Sequence, residues 1–223
     1  LIMILSKISK AYCVAGCELF NDSGKFSYWE NRNVTSDEID IVNFLNSKHE
    51  SGNLNILHVG IGNSYIASKL NIFKEIIGIT ISQNEILNAS SKSIPNYKFF
   101  FLNKYKTNSL DIFDNKKFDI IIDANMKSFS CCDMAFKNLF NQYSESLGNN
   151  GYIITHINGI KWSRMVKPKL AFSFKNLFYK RLKEYDGPIN NLLSISDCKI
   201  LAGQNNLKLE LVDKNLIVFK NDK

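Results

Sequence analysis

The chain is poor in the residues that make linkers, disulfide frameworks and metal cages. Of its 223 residues only three are proline and three histidine. No Pro- or Ser-rich stretch divides it, and no internal repeat is evident, so one domain is expected. The cysteines are Cys13, Cys17, Cys131, Cys132 and Cys198. An odd number at irregular spacing excludes a disulfide framework. Cys13 and Cys17 can stand one helical turn apart, but no second Cys or His pair lies nearby to complete a zinc site. No metal site is expected, and the thiols read as packing or surface groups. Long apolar runs are also missing. The stretch from Leu1 to Leu5 is interrupted by Lys7 and Lys10, too short to span a bilayer. Its charges follow the apolar residues, the reverse of a secretory signal. A cytoplasmic, reduced protein without a membrane span is the expectation.

What is present is enough apolar material for a core: 45% hydrophobic residues with 12% aromatics, and a formal charge of +7. That balance argues against overall disorder and favours acidic partners. Asn55 to Val59 is a short apolar run ending at glycines, the mark of a buried strand. A helix follows from Ser64 to about Asn71. Glu75 to Thr80 reads as a second strand. Ser82 then looks like an N-cap, with Glu85 three residues on as its capping-box partner. Tyr97 to Leu102 and Phe118 to Asp123 are further strands, the latter nearly all β-branched and therefore central. Asp133 to Leu147 carries apolar residues on one helical face. Gly148 and Gly151 bracket the turn into a fifth strand, Tyr152 to His156. Ile195 to Asn205 reads as a helix. Leu207 to Val212 and Leu216 to Phe219 form a hairpin around Asp213-Lys214-Asn215, an antiparallel edge. Strand–helix alternation through five strands predicts a parallel α/β sheet. Ligands then bind beyond the carboxyl ends of the strands.

The motif Val59-Gly60-Ile61-Gly62-Asn63-Ser64 closes a strand and opens a helix. Gly60 permits a tight turn, and Gly62 lets backbone approach a ligand with no Cβ in the way. The context makes it informative: a strand before, a helix after, and a second strand ending at Thr80.

These segments resemble class I S-adenosylmethionine (SAM) dependent methyltransferases. Leu57 to Ser64 is similar to their first motif, Ile77 to Ser82 to the second, Phe118 to Asp123 to the fourth-strand motif, and Leu147 to Tyr152 to the turn into strand five. The likeness covers roughly Asn53 to Lys220. It implies a three-layer Rossmann-like sandwich, a mostly parallel seven-stranded sheet whose last strand is antiparallel, with SAM as cofactor. It also divides the chain into an N-terminal helical extension or cap, 1–52, and a SAM-binding domain, 53–223, with a basic insertion at 158–193.

Two positions depart from that pattern. The family has an acidic residue where His58 stands, and His58 reads as a core or hydrogen-bonding residue beside the cofactor. It also has an acidic residue at Thr80. The run from Gly78 through Thr80 and Ile81 to Glu85 is similar to the Thr-containing version of cyclopropane-synthase-like and tocopherol-type methyltransferases. There, a polar side chain at the Glu85 position helps hold the ribose. Asn103, just past strand three, falls where the family places a polar group against the adenine. Tyr28-Trp29-Glu30-Asn31-Arg32 resembles a Tyr-Trp-x-x-Arg segment upstream of the core. The resemblance implies that Tyr28 and Trp29 cover the methionine end of SAM and that Arg32 pairs with its carboxylate.

Methyl transfer from a sulfonium needs an in-line nucleophile, and a hydroxyl acceptor must also lose its proton. Asp123, Asn125, Lys127 and His156, at the carboxyl ends of strands four and five, are the candidates, with Asp123 read as the base, a metal ligand or a contact to the SAM amino group. The stretch from Phe118 to Phe140 also resembles sugar O-methyltransferases of the macrocin and rhamnosyl type. Those carry a second Asp and a His as metal ligands; Ala124 replaces the Asp and Lys127 lies near the His position. Cys131 and Cys132 have no base beside them. Asn158 to Leu193 holds eight basic residues, Arg164 and Lys167 among them, against Glu184 and Asp186. It reads as a cap selecting an anionic small molecule or as a solvated face. The expected function is SAM-dependent methylation of a small molecule or saccharide, at oxygen. RNA or protein as acceptor, a non-catalytic domain that kept the fold, and aminopropyl transfer are the competing readings.

Overall fold

The computed structural model describes residues 32–49, 53–71, 73–106, 108–130, 133–161 and 192–222. Seven strands make one sheet: β1 Leu54–Val59, β2 Phe73–Thr80, β3 Tyr97–Phe101, β4 Phe118–Ile122, β5 Leu147–His156, β6 Lys208–Val212 and β7 Leu216–Lys220. Their spatial order is β3-β2-β1-β4-β5-β7-β6. β1 to β5 run parallel, and β7 is antiparallel to both β5 and β6. The sequence-based α/β sheet is therefore the observed one.

The central strands are apolar along their length because both faces are covered. Alternate residues go opposite ways. Leu57, Val59, Ile77, Ile79, Ile121 and Ile153 form one core with helices α4 (Asp133–Ser146) and α6 (Ile195–Gln204). Ile56, Ile76, Ile120, Ile122 and Ile154 form the other with α1 (Ser36–Lys48), α2 (Tyr65–Lys69) and α3 (Gln83–Ser91). α1 begins at a capping box in which Thr35 and Glu38 satisfy each other's backbone. It lies within the stretch taken as an extension, yet buries Ile41, Val42 and Leu45 in the same core as β1.

Two details differ from the sequence-based expectation, and one is added to it. Within the antiparallel hairpin at the edge, β7 lies between β5 and β6. β7 reads LIVFK and is buried at four of its five residues, whereas β6 reads KLELV and is half exposed. The more apolar strand takes the position with two covered faces. The turn suits this pairing, since Asp213 and Lys214 both take positive φ, as tight hairpins require. The fifth strand starts at Leu147 rather than Tyr152, because Leu147 already pairs with Phe118. And Ser82 caps α3 without a side-chain bond; Glu85 is engaged elsewhere.

Candidate functional site

The glycine motif lies at the carboxyl end of β1. Gly60 has φ +74° and Gly62 φ +51°, the left-handed region that glycine enters without cost. Gly60 donates its N–H to the Ile79 carbonyl at 2.8 Å, locking the turn onto β2. A Cβ at Gly60 would meet nothing within 4 Å, so the backbone there faces open space. Ile61 is buried. Asn63 accepts the Tyr65 N–H on Oδ1 at 3.1 Å, and its carbonyl takes the Lys92 ammonium. Ser64, in the left-handed region at φ 60°, opens α2.

Glu85 ties the second strand to this loop. Its Oε2 accepts the Gly62 N–H at 3.0 Å and the Thr80 hydroxyl at 2.7 Å. Thr80 Oγ1 in turn accepts the Ser82 N–H at 3.1 Å. The expected capping partner of Ser82 is thus turned toward the glycines, where it gains two donors, while the buried Ser82 N–H is met by Thr80 instead. Thr80 spends its proton on Glu85. Ile81 is half-buried beside it.

Beneath the loop lie buried polar atoms. His58 is 4% exposed, and its Nδ1 has no hydrogen-bond partner. Burial pushes its pKa down to about 4, so the ring is neutral. His58 pairs across the sheet with Gly78, and a Cβ at Gly78 would lie 2.6 Å from the Tyr97 hydroxyl and 2.7 Å from Ile61 Cγ2. Burial drives the Tyr97 phenol well above its usual range, with the Ser64 hydroxyl acting the other way. The two hydroxyls do not meet in hydrogen-bond geometry.

Asn103 turns its Oδ1 to the Tyr105 N–H at 2.9 Å, so its side chain shapes the loop after β3. That loop reaches the end of β4 through a residue sequence reasoning passed over. Lys104 Nζ donates to Asp123 Oδ2 at 2.8 Å, to the Asn125 carbonyl at 3.2 Å and to the Met126 carbonyl at 3.0 Å. Burial pulls the Lys104 pKa down while Asp123 holds it up, and three acceptors match the three protons of an ammonium. Tyr143 on α4 donates to the same Asp123 oxygen at 2.9 Å. Its phenol is pushed up by burial first and by Asp123 second.

Two other chemistry candidates are also engaged. Lys127, 6% exposed, pairs with Asp133 at 2.6 Å. His156, 1% exposed, caps the short helix α5 (Ile157–Ile160): Nδ1 accepts the Asn158 N–H at 3.0 Å, and Nε2 faces Asp40 Oδ2 at 3.1 Å. Arg32 pairs with Glu38 at 2.7 Å. Tyr28, Trp29, Cys131 and Cys132, and the basic insertion from 162 to 191, lie outside the described residues. Among those described, no group of three or more His, Cys, Asp or Glu could hold a metal, and no helix is long and apolar enough to cross a membrane.

No family model matches the sequence, and no curated relative matches it. Solved structures do. The N-methyltransferase NodS of Bradyrhizobium japonicum, in complex with S-adenosylhomocysteine, is 14% identical with a TM-score of 0.56, covering 95% of this chain and 98% of its own. SAM-bound CalS10, an amino pentose methyltransferase of Micromonospora echinaspora, is 8% identical at TM-score 0.59, covering 91% and 98%. A TehB-like SAM-dependent methyltransferase of Corynebacterium glutamicum is 14% identical at TM-score 0.58, covering 87% and 95%. The fold is one that methyltransferases use. At these identities the likeness is one of fold.

Proposed function

We propose that the chain is a SAM-dependent methyltransferase acting on a small molecule or saccharide. The observation that carries this reading is the Thr80–Glu85–Gly62 network. It sets a buried carboxylate beside a glycine turn at the carboxyl ends of β1 and β2, where sheets of this topology bind ligands. The residues fit the group. Gly60 offers open backbone, Glu85 a carboxylate suited to a ribose diol, and His58 a neutral ring with an unpartnered buried nitrogen. SAM would supply an electrophilic methyl group on a sulfonium. The chain's part is to hold the glycine loop open and to keep Glu85 aimed at it. Lys104 and Asn103 shape the far side of the same rim.

Oxygen as the methylated atom, suggested by the likeness to sugar O-methyltransferases, calls for a base touching the acceptor; Asp123 and His156 are sealed and bonded inward. RNA or protein as acceptor rests on the basic insertion alone. A cytoplasmic setting and a division of the chain at residue 52 are parts of the reading that rest on sequence.

The test is calorimetric titration with SAM. Removing a carboxylate that accepts hydrogen bonds from a ligand costs about 1.5–3 kcal/mol, so Glu85→Ala should weaken binding roughly 10- to 150-fold. No binding by the unaltered chain at millimolar SAM would establish instead a domain that kept the fold without the cofactor.

A further inference from the structure

The ends of α2 and α3 leave a cleft of about 630 Å³ beside the amino ends of β2 and β3. Its floor is apolar, made by Leu70, Phe73 and Ile94, with Leu70 buried. Asn71 and Asn96, both exposed, line it as well. Among the described residues that line it, the one charged group is Lys92, which caps the end of α3. Lys92 Nζ donates to the Asn63 carbonyl, so one side chain belongs both to the cleft and to the glycine turn. Burial lowers the Lys92 pKa, with no acidic group acting to raise it. An ammonium carries three protons, and a carboxylate is a stronger acceptor for them than a neutral carbonyl. A space of several hundred Å³ with an apolar floor and a few converging polar groups is the form that small-molecule sites take.

The geometry points to a second binding site in this cleft, for a small monocarboxylate with an apolar body. Its carboxylate meets Lys92, and its body covers Leu70, Phe73 and Ile94. One cation matches one negative charge; a dianion would keep a charge unpaired in a partly desolvated place. A bare inorganic ion would leave the apolar floor in water. Lys92 keeps one proton on the Asn63 carbonyl while the carboxylate takes the others. A bound carboxylate therefore fixes the lysine that braces the glycine turn, and filling of the cleft and of the cofactor site reinforce each other reciprocally. That linkage rests on the methyltransferase reading; binding in the cleft does not.

Calorimetric titration of the full chain compares 2-naphthoate with 2-naphthamide, which share a ring system and differ in charge. Naphthoate binding at about 1 mM or tighter, with the amide about tenfold weaker, is expected. No binding of naphthoate, or equal binding of the two, overturns the site. Inorganic phosphate binding as tightly as naphthoate overturns the apolar body. Amide NMR shifts caused by naphthoate should centre on Asn71, Ser93 and Asn96; shifts centred elsewhere overturn the placement. Lys92→Met removes the charge and keeps the stem, and should weaken naphthoate about tenfold; an unchanged affinity overturns the role of Lys92. Should that variant not fold, the acid and amide compared on the unaltered chain still decide. With naphthoate saturating, SAM should bind about fivefold more tightly, and SAM should tighten naphthoate by the same factor. An unchanged SAM affinity overturns the linkage. Absence of SAM binding with and without naphthoate overturns the methyltransferase reading instead, and the naphthoate titration still decides the cleft.

Discussion

Replacing Lys104 by methionine removes the ammonium and keeps most of the apolar stem. In the folded chain the Lys104 side chain is 11% exposed and that of Asp123 2%, so solvent screens the pair little. The Lys104→Met variant would hold a buried carboxylate with Tyr143 as its remaining side-chain donor, and would leave the Asn125 and Met126 carbonyls without that donor. Breaking a buried pair from one side costs about 3–5 kcal/mol, because the surviving charge keeps its desolvation penalty. With a urea m-value of about 3 kcal/mol/M, the unfolding midpoint should fall by roughly 1 M or more. The assay is equilibrium urea unfolding followed by far-UV circular dichroism. The double change Lys104→Met with Asp123→Leu should regain part of the loss, since no charge stays buried. A midpoint shift below about 0.3 M in the single variant, a third of that expected from the m-value, would falsify the claim that Asp123 is an internal anchor, and would return it to the candidates for chemistry.

Two further outcomes follow from the same region. His58 has a folded-state pKa of about 4 against an ordinary 6.5, so the unfolded chain binds the extra proton first as pH falls. Its contribution is fully present above about pH 6.5 and is lost between there and about pH 4, at roughly 1.4 kcal/mol per pH unit and some 3 kcal/mol in all; urea midpoints at pH 7.5, 5.5 and 4.5 should lose this slope in His58→Leu. Gly78→Ala forces a Cβ to within 2.6 Å of the Tyr97 hydroxyl and 2.7 Å of Ile61 Cγ2, an overpacking worth about 1–3 kcal/mol. Thermal unfolding should show a lower midpoint, with SAM binding weakened through displacement of Ile61 in the glycine turn; an unchanged melting temperature would show that the site is looser than its contacts imply.

The sheet was legible in the sequence because its signals are local. An apolar run of five or six residues followed by glycine marks a strand end wherever it occurs. Seven strand-like segments in this order leave few ways to build a sheet. The turn at Gly60 and Gly62 was legible for the same reason. Which strand of the hairpin lies inside was not foreseen, though the contrast between LIVFK and KLELV carries the signal. The partners of polar side chains were not legible. Asp123 and Lys104 stand 19 residues apart and His156 and Asp40 stand 116 apart; no spacing rule joins them. A polar residue at a strand end tells where a side chain starts, and only packing decides what it meets. Tertiary structure therefore turned Asp123 and His156 inward and drew Glu85 away from its helix cap to the Gly62 N–H. The physical reason is that a buried carboxylate or imidazole must find donors wherever the fold supplies them, and the fold supplied them from distant parts of the chain.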